Sequence, residues 1–280
     1  MKTCLIVTNC FDWEIIAHLN ASPRFSETYR CETVSTYLQR PGEDYVAKLA
    51  SADLVISQNV KSIPEYTPQF IASHMRKDAP YVRIGFWRFD GFWPCPSPNG
   101  RANAWFCYPP DEFGSELTFE DYISYPVDRA QTVEKFEQEC LKLQDIDAES
   151  DVKIHDLFLN SYCNRRVFSD HWHPMPLFFK AAADHILSGL GFDDAPVEPL
   201  PPTRTNACRY RIILDAVHDA LGVKHYEGRN SLVFCGKTLS VEDYYHFSQH
   251  LVRNNLIQGL GGINDLGSRL NDFLGLSATA

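Results

Sequence analysis

In its first 90 residues the chain alternates short apolar runs with amphipathic stretches, and this alternation constrains the fold more than any other feature. Residues 4–8 read as a buried strand, and 11–19 as a helix with Phe11, Ile15 and Leu19 on one face. A second strand over 31–36 is followed, after Pro41-Gly42, by a helix over 43–50. A third strand at 54–56, a helix over 66–75 and a fourth strand over 81–86 complete the series. Strands separated by helix-length segments predict an α/β fold in which a parallel sheet is flanked by helices. Ligands of such sheets usually sit at the carboxyl ends of the strands.

The pattern breaks at about 86–126, an irregular insertion rich in Trp, Phe, Pro and Gly. Its rings either strap the segment across the core or present flat apolar faces to a ligand. Helical pattern resumes over 128–143, residues 151–168 are mixed, and 177–190 form a helix whose only polar stripe is Lys180, Asp184 and Ser188. A Pro-rich linker at 195–202 suggests a catalytic α/β domain over 1–194 and a mostly helical section over 195–280, separate or packed on the first. Within that section 209–221 reads as a helix, 231–235 as a short strand, and Ser240-Val241-Glu242-Asp243 as a capping box.

Composition narrows the partners. With 44% hydrophobic and 22% charged residues the chain belongs to the ordinary globular class. Its net charge of −10 argues against an extended nucleic-acid surface, while leaving room for a local basic pocket that takes a small phosphorylated ligand. No apolar run reaches membrane-spanning length, and the start has too short a run for a secretory signal. The nine cysteines are odd in number and contain no Cys-x-x-Cys pair, which suits free thiols in a reducing, cytoplasmic setting.

Two segments carry candidate chemistry. Cys10 follows the first strand and precedes a helix, where free N–H groups and the helix dipole favour thiolate. Its neighbour Asn9 either caps that helix or points its amide at a developing oxyanion, and Cys10 is otherwise a small buried thiol. Far downstream, Asp170-His171-Trp172-His173-Pro174 offers an imidazole with an acid three residues upstream to fix its tautomer. On a strand, His171 and His173 would face the same way, but with no evident third ligand a metal is not expected. Gln58 and Asn59, just beyond the third strand, are oxyanion donors or ordinary turn residues. The leading expectation is an enzyme in which Cys10 and His173, some 160 positions apart, meet in one cleft.

Asn9-Cys10, the 52–58 segment Ala-Asp-Leu-Val-Ile-Ser-Gln, the aromatic-proline stretch after 81–86, and His173-Pro174 leading into a helix together resemble the WcbI-type family of capsular polysaccharide biosynthesis proteins. The resemblance covers roughly the first 190 residues. It implies coenzyme A binding and acetyl transfer. More distantly the layout is similar to SGNH-type esterases, with an SGNH- or flavodoxin-like core. There Cys10 stands in place of the nucleophilic serine, and Asp170 and His173 serve as acid and base.

Taken together, the expected reaction moves an acyl group, acetyl first, from acyl-coenzyme A to a hydroxyl of a sugar or polysaccharide precursor. Either His173 deprotonates the acceptor directly while Cys10 and Asn9 line the oxyanion site, or Cys10 is itself acylated. Phosphates of the coenzyme would be met by basic residues such as Lys61, Arg83, Arg88 and Arg209, with Arg204 and Arg211 beside the last. Water as acceptor would make the same residues an esterase or deacetylase. A non-catalytic ligand-binding protein on the same fold is the rival of another class. The number of subunits is not legible.

Overall fold

The structure, a computed structural model, describes residues 1–37, 41–93, 118–194, 198–201, 212–225, 230–254, 256 and 263–276. Its elements begin with β1 (Lys2–Thr8), α1 (Asp12–Asn20), α2 (Pro23–Thr28), β2 (Tyr29–Ser35), α3 (Tyr45–Ser51) and β3 (Leu54–Gln58). A 3-10 turn (Pro64–Tyr66), α4 (Pro68–His74), β4 (Tyr81–Ile84), α5 (Phe119–Ile123), α6 (Arg129–Ala148) and α7 (His155–Ser161) follow. The chain continues with β5 (Phe168–Asp170), β6 (His173–Pro174), α8 (Pro176–Gly189), α9 (Asp215–Leu221), β7 (Ser231–Phe234), β8 (Lys237–Ser240), α10 (Val241–Arg253) and α11 (Ile263–Phe273). Two compact units emerge: Met1–Trp87 with Lys142–Leu157 and Pro176–Pro201, and Arg88–Leu141 with Phe158–Met175 and Pro202–Ala280.

In the first unit, a four-stranded sheet runs in the order β2-β1-β3-β4 with every pair parallel, so the chain is α/β as the alternation implies. The last five residues of β1 and all of β3 are buried, the pattern of central parallel strands covered on both faces. Leu5, Val7 and Val55 lie on one face against Tyr45 and Leu49 of α3, Tyr66, and Ile71 of α4. Alternation turns Ile6 to the opposite face. Phe11, Ile15 and Leu19 are likewise buried, α1 packs on α8, and the Phe11 ring meets Phe179 edge-on with centroids 5.2 Å apart. At the exit of β4 a Cβ on Gly85 would overlap the Trp87 indole and the Ile146 side chain, so only glycine lets the chain leave the sheet along this path.

The second unit has a ring-rich core. Phe89 packs on Phe158 at 4.5 Å, Phe92 at 5.0 Å, Phe136 at 5.3 Å and Phe168 at 5.7 Å between centroids. The rings in the described part of the aromatic insertion are therefore largely core: Trp87, Phe89, Phe92 and Trp93 are buried, and of the described rings there only Phe86 is exposed. Residues 94–117 of that insertion lie outside the described residues. β7 and β8 form a hairpin that turns through Cys235 (φ 50) and Gly236 (φ 76), the left-handed pair a two-residue hairpin turn requires.

Several expectations are corrected. The helix expected over 209–221 starts only at Asp215, because Leu214 is extended and the apolar run Ile212-Ile213 is buried in non-helical chain; 209–211 lie outside the described residues. α2 was not anticipated, although Ser22 caps it by accepting from the Phe25 N–H at 3.1 Å and Pro23 opens it. Ser240 does cap α10, accepting from the Asp243 N–H at 2.9 Å. Among the described residues no helix is long and apolar enough to cross a membrane.

Candidate active site

β1 delivers Asn9 and Cys10 at its carboxyl end, and β3, its hydrogen-bonded neighbour, delivers Gln58 level with them. The Asn9 N–H donates to Gln58 Oε1 at 2.8 Å, in a setting where Asn9 is 8% and Gln58 0% exposed. An N–H can only donate to the oxygen of the amide, so this bond fixes which way the Gln58 amide points. Its Nε2 is left as a buried donor with no partner among the described residues, and Asn9 Oδ1 as a buried acceptor in the same condition. Each such orphan costs about 1–3 kcal/mol. A ligand or an ordered water can supply such a missing partner.

Asn9 does not cap α1, as one reading of the sequence supposed. The cap is Phe11, whose phenyl ring has no acceptor to offer and makes no side-chain cap bond, while the Asn9 N–H is committed to Gln58. Cys10 is half-buried just before this helix start. Asp12 and Glu14 stand in the first turn, so their carboxylates oppose the positive potential that the helix dipole offers a thiolate. Burial in turn pushes the Asp12 carboxyl above its ordinary range, against hydrogen bonds from backbone N–H groups. None of the six described cysteines, Cys4, Cys10, Cys31, Cys140, Cys163 and Cys235, is in a disulfide.

Asp170 and His173 belong to the second unit, on the paired strands β5 and β6. His173 Nδ1 lies 2.7 and 2.8 Å from the two oxygens of Asp170, and the Trp172 N–H donates to Oδ1 at 2.8 Å. Asp170 is 0% and His173 2% exposed. Burial pushes the Asp170 carboxyl up, but the His173 charge, its hydrogen bond and the Trp172 amide together outweigh it and hold the group below the usual carboxylate range. An ionised carboxylate only accepts, so Nδ1 carries the proton and Nε2 is the basic nitrogen of the ring. Arg166, buried and unsuspected from sequence, grips the Phe168 and Ser169 carbonyls at 2.8 and 2.9 Å and so stiffens the strand that carries Asp170.

His171 does not sit beside His173 on one strand face. The residues between β5 and β6 form a turn, and the His171 carbonyl accepts from the Phe89 N–H at 2.9 Å. No group of three or more metal-binding side chains occurs among the described residues. Of the basic residues, Lys61 pairs with Glu149 at 2.7 Å and Arg83 with Asp151 at 2.7 Å. Arg88 is exposed and unpaired among the described residues, whereas Arg204, Arg209 and Arg211 lie outside them. Glu149 and Asp151 had no signal in the sequence, since each meets its partner across more than 60 residues.

The first unit is thus an α/β fold whose parallel sheet gathers polar groups at its strand ends, and the second unit carries a buried histidine oriented by a carboxylate. Residues 3–195 match the sequence model of the family described as "Polysaccharide biosynthesis enzyme WcbI", and the chain belongs to that family of enzymes. Among solved structures, a WcbI protein is similar over 99% of this chain and 96% of its own, with a TM-score of 0.60 and 14% identity. That protein is described as a novel polysaccharide biosynthesis enzyme, in a native form without a disulfide bond between coenzyme A and one of its cysteines. At this identity the likeness is one of fold. No curated protein sequence matches the chain.

Proposed function

We propose that this enzyme transfers an acyl group, acetyl in our reading, from acyl-coenzyme A to a hydroxyl of a sugar or polysaccharide precursor in the cytoplasm. The observation that carries the proposal is the buried Asp170–His173 pair, whose geometry leaves Nε2 as the base. In the reaction, His173 Nε2 takes the proton of the acceptor hydroxyl as its oxygen attacks the thioester carbonyl. Asp170 stabilises the imidazolium that forms. Collapse of the tetrahedral intermediate breaks the carbon–sulfur bond, and the proton passes to the departing thiolate.

To Gln58 falls the carbonyl oxygen: its Nε2 is a buried donor already oriented by the Asn9 backbone, which is what preorganised oxyanion stabilisation needs. Cys10 serves as a lining thiol and not as a covalent carrier, because exchanging one thioester for another gains little driving force. The coenzyme is supported as donor by the solved WcbI protein described with it, and by Arg88, an exposed cation that none of the described side chains pairs. Lys61 and Arg83 already hold acids, which weakens their candidacy for phosphate.

Purified enzyme incubated with acetyl-coenzyme A and a sugar acceptor should release free coenzyme A thiol in step with acetylated sugar. His173→Ala should lower that rate by about a hundredfold or more while coenzyme A binding persists. Thiol release without acetylated sugar, together with rapid turnover of simple acetyl esters, would make the enzyme a hydrolase.

A further inference from the structure

Beside the strand-end group lies a small cleft of about 140 Å³, lined by Asn59, Lys61, Phe86, Asp145, Ile146 and Glu149. All six residues belong to the first unit. Asn59 and Lys61 follow β3 and Phe86 follows β4, so the cleft opens at the carboxyl edge of the sheet, where ligands of parallel sheets bind. Asp145, Ile146 and Glu149 come from the end of α6 and the residue after it. The volume is below the roughly 300–1,000 Å³ of pockets that enclose a whole cofactor, and suits a single ring.

Three features identify the kind of ring. Phe86 is 37% exposed although Trp87 and Phe89 beside it are fully buried, and it is braced by stacking on Phe11 at 6.5 Å and 14°. In the same cleft Glu149 accepts from Asn59 Nδ2 at 2.8 Å and from Lys61 Nζ at 2.7 Å. Two carboxylates, Asp145 and Glu149, and one ammonium, Lys61, line the cleft, so it carries net negative charge and disfavours phosphate. It offers instead paired acceptors and donors beside an apolar face, which is how a neutral polyhydroxyl ring with one C–H face is held.

We propose that this cleft is the sugar-acceptor subsite, with Phe86 as the stacking platform and Asn59, Lys61 and Glu149 as hydroxyl partners. The word acceptor rests on the transferase reading; sugar binding itself does not. Phe11 links the platform to Cys10 through adjacent sequence, so a ring seated on Phe86 lies next to the strand ends that carry Asn9 and Gln58. Lys61 is thereby reassigned from the phosphate role expected from sequence to hydroxyl recognition.

The test is saturation-transfer NMR on the full chain with free glucose, galactose, mannose and N-acetylglucosamine, alongside coenzyme A titration. At least one sugar should receive saturation, and Phe86→Ala and Glu149→Gln should each weaken its binding tenfold or more with coenzyme A affinity unchanged. Glu149→Gln keeps the shape of an exposed side chain, so it answers the question even if Phe86→Ala disturbs packing on Phe11. If no sugar binds, if both variants bind sugar as the wild type does, or if they lose coenzyme A instead, the subsite is wrong. Sugar binding that responds to both variants without any acyl transfer keeps the subsite and removes the transferase. Acyl transfer whose acceptor KM is unmoved in both variants keeps the transferase and removes the subsite.

Discussion

The strand-end group of the first unit and the β5–β6 turn of the second solve opposite problems. At the strand ends, two buried amide atoms, Gln58 Nε2 and Asn9 Oδ1, stand without partners among the described residues. At the turn, Asp170 accepts from Nδ1 of His173 and from the Trp172 amide, and Arg166 braces the strand through its carbonyls. One region leaves polar capacity unused by the described residues; the other uses its own to hold an imidazole in one tautomer. Recognition of a carbonyl oxygen calls for the first condition and proton transfer for the second.

The sharpest way to break this contrast is at the turn. Asp170→Asn would keep the shape and remove the charge, letting the wrong nitrogen of His173 carry the proton; acyl transfer should fall by about 10²–10⁴ with little change in coenzyme A affinity. Next comes Gln58→Leu, which should lower kcat by about 10²–10³ if its amide meets the developing oxyanion. Its stability cost should stay near the roughly 1–3 kcal/mol of an unpaired Asn9 N–H. A large loss of stability with normal kcat would make Gln58 a structural amide only.

Smaller effects follow. Cys10→Ala should retain activity within about tenfold, and no acyl-enzyme should be trapped, since a covalent carrier would cost far more when removed. An acylated Cys10 seen by mass spectrometry would replace direct attack with a two-step route. Smallest is a stability effect. Asp170 is held below the ordinary carboxylate range, so its stabilisation is complete above the unfolded value of about 3.9 and is lost as pH falls through the lower folded value. In urea titrations from pH 5 downward, Asp170→Asn should therefore show a flatter acid decline than the wild type; parallel declines would show that this carboxylate is not the linked group.

The sequence carried these regions unequally. β1 and β3 are legible because central parallel strands are continuous apolar runs, and Asp170–His173 because its contact spans only three residues. Nothing local announces that Gln58 is tied to the Asn9 backbone 49 residues away, or that Lys61 meets Glu149 across 88. The turn at His171 defeated strand alternation because two short strands meet there with a register shift. Ile212-Ile213 misled in another way, since an apolar pair buried in extended chain looks like the start of a helical face. Local chemistry was readable, and long-range pairing was not.

The central claim is that His173, oriented by Asp170, is the base that takes the acceptor's proton. Single-turnover acetyl transfer to a sugar by wild type and His173→Ala, each saturated with acetyl-coenzyme A, tests it most directly. A fall of about a hundredfold or more in the chemical step is expected. Equal rates in the two proteins would contradict it.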